Sequence, residues 1–311
     1  MIRSARPWVA HATRSFSCSS RCCTQPTKPL DPLSSSPTSS TGTSPSSSST
    51  TNPSSSSTHF GFKTVPEDQK ENLVRGVFSS VASKYDVMND AMSLGVHRLW
   101  KDHYVRKMDP HGGIRCLDVA GGTGDIAIRL LDHARTKWAD RDTHVQVLDI
   151  NPEMLEEGKK RFAQTMYHGG PQVSFTLGNA EHLEGVPDNS VDLYTIAFGI
   201  RNCTHIDRVL REAYRVIKPG GVFSCLEFSK VTNPLVAKVY DLYSFQVIPN
   251  IGHIVAADRD SYQYLVESIE RFPPQAKFSQ MIKDAGFTVP KQEPWEDLTF
   301  GVAAIHTGVK V

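Results

Sequence analysis

The stretch LDVAGGTGD, residues 117–125, decides the fold. It closes a short apolar run at 114–120, and a helix opens behind it at 126–131. Strand, glycine turn and helix in that order make the first unit of a sheet whose strands run parallel. Gly121, Gly122 and Gly124 let the backbone turn sharply and approach a ligand closely, because no Cβ stands in the way. Gly122-x-Gly124-x-x-Ala127 fits a loose dinucleotide fingerprint, and a purely structural tight turn accounts for the same residues. No Gly-Lys-Ser/Thr follows, so the loop is not a P-loop.

Outward from this loop the alternation continues. Apolar runs at 144–150, 173–177, 191–197 and 221–228 read as strands, with helices after Asn151-Pro152 and over 206–217. This pattern predicts an α/β fold, a mostly parallel sheet with helices on both faces. From 232 to 273 the chain turns helical and aromatic, with Tyr240, Tyr243, Phe245, Tyr262 and Tyr264. A helix over 278–284 capped by Gly286, then strands at 289–291 and 298–306, complete the sheet. Upstream, 68–85 places Leu73, Val77, Phe78 and Val81 on one helical face, and a second helix spans 92–108. No apolar run approaches the length of a transmembrane helix.

The formal net charge of +1 is the sum of two unlike pieces. Five basic residues and Asp31 precede Phe60, which leaves 29 basic and 32 acidic residues for the rest. That mildly acidic body lacks the basic excess of a nucleic-acid binder. The first stretch carries Arg3, Arg6, Arg14 and Arg21 with no acid and no continuous apolar run, the composition of a mitochondrial presequence. A plastid address shares much of it. Between 34 and 57, 14 of 24 residues are serine and five are threonine, too little apolar surface to offset chain entropy. The chain therefore divides into a presequence at 1–33, a disordered linker at 34–58 and a folded domain at 59–311. Cys18, Cys22 and Cys23 lie in the leader, and Cys116, Cys203 and Cys225 have no metal-like spacing.

Two carboxylates flank the glycine loop. Asp149 ends the second strand, where it can accept both hydroxyls of a ribose lying across the strand tips. NAD and S-adenosylmethionine both present such a ribose. In FTLGNAE, 175–181, the amide of Asn179 suits an adenine edge, with Ala180 a small neighbour beside it. A dinucleotide also needs a phosphate-contacting surface. An adenosyl sulfonium carries no phosphate, so the loop with Asp118 or Thr123 can hold its carboxylate and amino groups. IKPGG before a strand, followed by two terminal strands, favours a methyltransferase sheet. A nicotinamide-dependent oxidoreductase stays open on these features.

Longer stretches narrow the choice. YDVMNDAMSLGVHRLW at 85–100 and RVIKPGGVFSCLEFS at 215–229 resemble the two signature stretches of the ubiquinone/menaquinone biosynthesis C-methyltransferases, the UbiE/COQ5 family. HFGFKTV at 59–65, FGIRN at 198–202, YDLYSF at 240–245 and DSYQYLVESI at 260–269 are similar as well. The resemblance covers almost all of 59–311 and none of the leader. It implies a class I S-adenosylmethionine-dependent methyltransferase fold, Rossmann-like and seven-stranded. An N-terminal helical lid would occupy 59–110, and a substrate-side insertion 232–273 would precede the last two strands. The implied acceptor is a polyprenylated benzoquinol, methylated on a ring carbon; in the mitochondrial branch this is the 2-methoxy quinol precursor of ubiquinone. The implied cofactor positions are Thr123, Asp149, Asn179 and Ala180, beside Asp118, Gly121, Gly122 and Gly124. Ala197 stands where bacterial members carry serine, so one hydroxyl contact is missing. Mitochondrial members are thought to act peripherally at the matrix face of the inner membrane, among other ubiquinone-biosynthesis proteins, and homodimers occur among relatives. A catalytically silent scaffold, or another small-molecule methyltransferase of this fold, remains an alternative.

Methylating carbon requires that a ring hydroxyl give up its proton and push charge into the ring, with donor and acceptor aligned. Arg201 and Asn202 follow the fourth strand and suit stabilisation of the resulting oxyanion; a surface pairing of Arg201 with Asp207 or Glu212 is the plainer reading. The resemblance makes Tyr85, Asp86, Asn89, His97 and Trp100 a lid over the quinol head. His97 is a candidate base or a hydrogen-bonded structural residue, and Asp86 orients a ring hydroxyl or caps the second helix. Tyr243 and Arg259 are candidates for the acceptor side of the insertion. No metal is required.

Overall fold

The structure is a computed structural model that describes residues 56–311 apart from 83–88, 91–92, 94, 248–249 and 251–258. The presequence reading, most of the linker, Tyr85 and Asp86 lie outside the described residues. The described chain opens on an antiparallel hairpin that the sequence reading lacks, β1 (Ser57–Phe60) and β2 (Lys63–Pro66), turned at Gly61. β1 reaches two residues into the stretch read as linker. α1 (Glu67–Val81) follows, and then α2 (Val96–Met108), which starts behind Gly95. The face that α1 buries differs from the expected one. Lys70 and Val74 are buried while Leu73 is exposed, because a one-residue rotation brings the i, i+4 row Lys70–Val74–Phe78 inward.

Next come β3 (Arg115–Val119), α3 (Asp125–Trp138), β4 (His144–Asp149), α4 (Pro152–Phe162), β5 (Val173–Leu177) and β6 (Val191–Ala197). α5 (Ile206–Val216) and β7 (Ile217–Phe228) follow a 3-10 turn at Ile200–Asn202. The insertion forms α6 (Pro234–Leu242), a π-helical turn (Tyr243–Val247) and α7 (Arg259–Arg271). α8 (Gln275–Asp284), β8 (Glu296–Leu298) and β9 (Ala303–Val309) close the described chain.

Seven strands make one sheet in the order β5-β4-β3-β6-β7-β9-β8. The first five are parallel, and β9 runs antiparallel to both β7 and β8. Successive residues feed opposite faces: Val145 and Val147 of β4 join the core cluster under α2 and α3, whereas Leu148 joins the cluster under α5 and α8. Burial on both faces is why these strands read as near-continuous apolar runs.

The terminal strands correct the sequence reading. Residues 289–291 are not a strand; only an isolated bridge from Thr288 to Val309 forms there. Pro290 has no N–H to give a ladder. The expected run 298–306 is broken by a 3-10 turn, Thr299–Gly301, in which Phe300 (φ 59°) and Gly301 (φ 92°) leave the extended region. The edge strand is therefore Glu296–Leu298.

Candidate active site

The strand order changes direction between β3 and β6, and a crevice opens beyond the carboxyl ends of strands at such a switch point. Here it encloses about 1100 Å³, including its open mouth. The glycine loop forms its floor, and the tips of β4, β5 and β6 form its walls. α1 contributes Glu71, Val74, Arg75 and Phe78 from above. Ala120 (φ 51°) and Phe198 (φ 55°), at the tips of β3 and β6, hold left-handed backbone that side chains avoid. A Cβ on Gly199 would stand 2.4 Å from the Ala120 Cβ, so the two tips approach as closely as glycine allows.

Two buried carboxylates face this space. Asp149 accepts the backbone N–H of Gly122 at 2.9 Å and that of Asn151 at 2.8 Å. Burial outweighs these bonds and pushes its carboxyl up to about 6. Asp118 accepts from the Thr195 hydroxyl at 2.8 Å through Oδ1, while Oδ2 has no partner among the described residues. Burial, with the charges of Asp125 and Asp149 adding, pushes it up to about 7 despite the Thr195 bond. A buried oxygen without a partner at a cleft wall is an acceptor awaiting a donor.

Of the residues singled out in the sequence, Asp118, Gly121, Gly122, Thr123, Asp149, Asn179, Ala180 and Asn202 line the cleft together, as does Ala197. Gly124 does not; it starts α3 with φ 73°, and a Cβ there would meet the Phe162 ring at 2.7 Å. Asn179 donates through Nδ2 to Glu71 at 3.1 Å and accepts the Glu181 N–H at 2.8 Å. Asn202 accepts from the Tyr264 hydroxyl at 3.0 Å.

Arg201 is not among the residues that line the cleft, and neither Asp207 nor Glu212 is its partner. It is 6% exposed and donates to Glu227 at 2.7 Å, to the Phe198 carbonyl at 2.6 Å and to Ser268 at 3.4 Å. Asp207 instead pairs with Arg211, and Glu212 with Arg215. The 3-10 turn Ile200–Asn202 brings Arg201 onto Glu227, near the end of β7. His97 is buried behind the cleft, with Nε2 on Asp90 at 2.8 Å and Nδ1 unpartnered among the described residues. Burial lowers its pKa, so it is neutral near pH 7. Trp100 is core, donating to Thr299 at 2.9 Å and packed edge-on to Phe228. Asn89 is half-buried and its carbonyl accepts from Ser93. Tyr243 packs half-buried against the core, and Arg259 opens α7 with its side chain outside the described residues.

The family model of the ubiE/COQ5 methyltransferase family matches residues 64–310. The chain belongs to this family. It is 60% identical over 257 residues to the mitochondrial 2-methoxy-6-polyprenyl-1,4-benzoquinol methylase of Schizosaccharomyces pombe, covering 82% of this chain and 84% of that one. It is 50% identical over 282 residues to the protein of the same name in Homo sapiens, with the same coverage. A solved S-adenosylmethionine-dependent methyltransferase from Thermotoga maritima shares the fold, with a TM-score of 0.50 and 18% identity over 76% of this chain and all of that one. The ubiE/COQ5 protein described here is thus an S-adenosylmethionine-dependent methyltransferase, and its named relatives are mitochondrial.

The cleft of this methyltransferase fits that cofactor. The Asp149 oxygens each accept one backbone N–H, and each retains acceptor capacity for a ribose hydroxyl. The unpartnered Asp118 oxygen suits an ammonium. Gly121 leaves space that a Cβ would fill, 2.9 Å from the Asp118 carbonyl. Sequence reasoning missed Glu71, Val74 and Arg75 on α1, and Lys101 on α2, all of which line the cleft. The one signal available was a lysine placed in the apolar row of a helix, at 101 as at 70.

Proposed function

We propose that this methyltransferase methylates a ring carbon of 2-methoxy-6-polyprenyl-1,4-benzoquinol in ubiquinone biosynthesis. The observation that carries this reading is the 60% identity, across four-fifths of both chains, to a relative of that name. The geometry agrees with it. When bound, S-adenosylmethionine supplies a methyl group on a positively charged sulfur. Asp149 and Asn179 fix the adenosyl end of the cleft, the loop at Gly121–Thr123 and Asp118 fix the other end, and Val74 and Phe78 of α1 keep water from one wall. A fixed donor methyl presented to an activated ring carbon lowers the entropic part of the barrier. Asn202, held by Tyr264, is the polar group of the FGIRN stretch that faces the cleft. It suits an oxyanion or ring hydroxyl better than the buried Arg201 does.

We also place the protein peripherally on the matrix face of the inner membrane, beside other ubiquinone-biosynthesis proteins. A polyprenyl substrate resides in lipid, and no described helix is long and apolar enough to cross a membrane. The deciding experiment supplies S-adenosylmethionine and a reduced demethyl 2-methoxy quinol with a short prenyl tail. Ring-carbon methylation of the quinol, and none of its quinone, is expected. A folded, cofactor-binding protein that methylates neither would sink the substrate assignment.

A further inference from the structure

α2 buries a single row, His97, Trp100, Lys101, Tyr104 and Val105. Lysine is the anomaly in it. Its side chain is 5% exposed, yet it lines the cleft beside the glycine loop. Such burial is tolerated only where anions meet the ammonium. One does so within the fold: Lys101 donates to Asp125 at 2.8 Å. Asp125 is shared, however. Arg129 lies 3.3 Å from it and Arg161 3.7 Å, so three cations converge on one carboxylate. An ammonium has three hydrogens, and this one also faces the Phe198 ring, 6.0 Å from its centroid.

The complementary group is a carboxyl on β3. Asp118 is wholly buried, and its Oδ2 lacks a partner among the described residues. Both side chains line the same cleft, beside the glycine loop. A cationic donor and a carboxyl acceptor therefore face the same cleft. An α-amino acid carries the complementary pair, a carboxylate and an ammonium, on a single carbon.

We infer that Lys101 receives the α-carboxylate of S-adenosylmethionine, with the α-ammonium going to Asp118. The assignment rests on the cofactor reading above and names a binding residue on α2, outside the sheet tips that hold the rest of the ligand. Lys101 thereby couples cofactor binding to the position of α2, since ligand and Asp125 share one ammonium.

The test is calorimetric binding to the full chain, wild type and Lys101→Met, with three ligands. These are S-adenosylmethionine, its decarboxylated form and 5′-methylthioadenosine, the last two lacking the carboxylate. Removing a charge-assisted bond lowers affinity roughly ten- to a hundredfold. That loss is expected for S-adenosylmethionine alone, with the other two ligands changed less than about twofold. Equal losses for all three ligands, or no loss for any, would overturn the assignment. Failure of the wild type to bind S-adenosylmethionine would instead overturn the cofactor reading itself. Arg129 and Arg161 still neutralise Asp125 in Lys101→Met, so a native melting transition is expected. If that variant does not fold, Lys101→Arg carries the test: it retains the charge at a different reach, and only the carboxylate-bearing ligand should shift in affinity.

Discussion

The guanidinium of Arg201 donates to the carboxylate of Glu227 at 2.7 Å, and the two side chains are 3% and 1% exposed. The pair clamps the turn after β6, whose Phe198, Gly199 and Asn202 line the cleft, to the end of β7. Ser268 of α7 and the Phe198 carbonyl complete the guanidinium shell. Burial raises the pKa of Glu227, and Arg201 opposes that shift.

Breaking this pair is expected to be expensive. Arg201→Ala leaves a buried carboxylate unmatched, a change that costs about 3–5 kcal/mol. Urea unfolding should show that loss, and Arg201→Ala combined with Glu227→Gln should recover part of it. If Arg201→Ala removed activity with no change in the unfolding midpoint, a direct role in the chemistry would take precedence over the clamp.

Asp149→Ala should weaken S-adenosylmethionine binding by about 1.5–3 kcal/mol for the lost charged contact, and more through the loop, because Gly122 and Asn151 lose their acceptor. Asp149→Asn, which keeps an acceptor, should lose less. Titration calorimetry on both variants separates the two contributions.

The cleft carboxylates give stability a definite pH dependence. Asp118 at about 7 and Asp149 at about 6 both lie above the ordinary carboxylate value. Between roughly pH 4 and 7 the unfolded chain has lost these protons while the folded chain keeps them, so the ligand-free protein loses stability as pH rises through that window. The contribution is fully present below pH 4 and gone above the folded values. Asp118→Asn should flatten the decline in unfolding midpoint between pH 5 and 8. A slope identical to wild type would refute the assignment of that proton to Asp118.

Gly199→Ala should couple stability to binding. Its Cβ would overlap the Ala120 Cβ at 2.4 Å, and Ala120 already holds left-handed backbone at the mouth of the glycine loop. Overpacking of this kind costs about 1–3 kcal/mol. Weaker cofactor binding should accompany it, whereas Gly169→Ala, which meets no neighbour and costs only its left-handed backbone (φ 68°), should leave binding intact.

The local patterns carried the sheet. Apolar runs 144–150, 173–177 and 191–197 became β4, β5 and β6 nearly residue for residue, and the glycine loop sits between β3 and α3 as its spacing implied. Periodicity is a short-range property, so elements built by one segment show it directly. The same holds for Asp149, whose place at a strand tip follows from where its run ends. The break at Pro290 and the kink at Phe300 were less legible, because a run of suitable residues does not reveal which of them finds a partner strand.

The sequence by itself determined the fold class, the cofactor loop, and through long signature stretches the family. Tertiary structure alone decided which charges meet. Lys101 reaches Asp125 across 24 positions, Arg201 reaches Glu227 across 26, and Asn179 reaches Glu71 across 108. An isolated lysine or arginine in a sequence has the same composition whether it is solvated or buried against an acid. Burial sets its energy, and burial is a property of how distant segments pack. For that reason the acids at the strand tips were readable in advance, whereas the lysine beside them became meaningful only once α2 was laid over the loop.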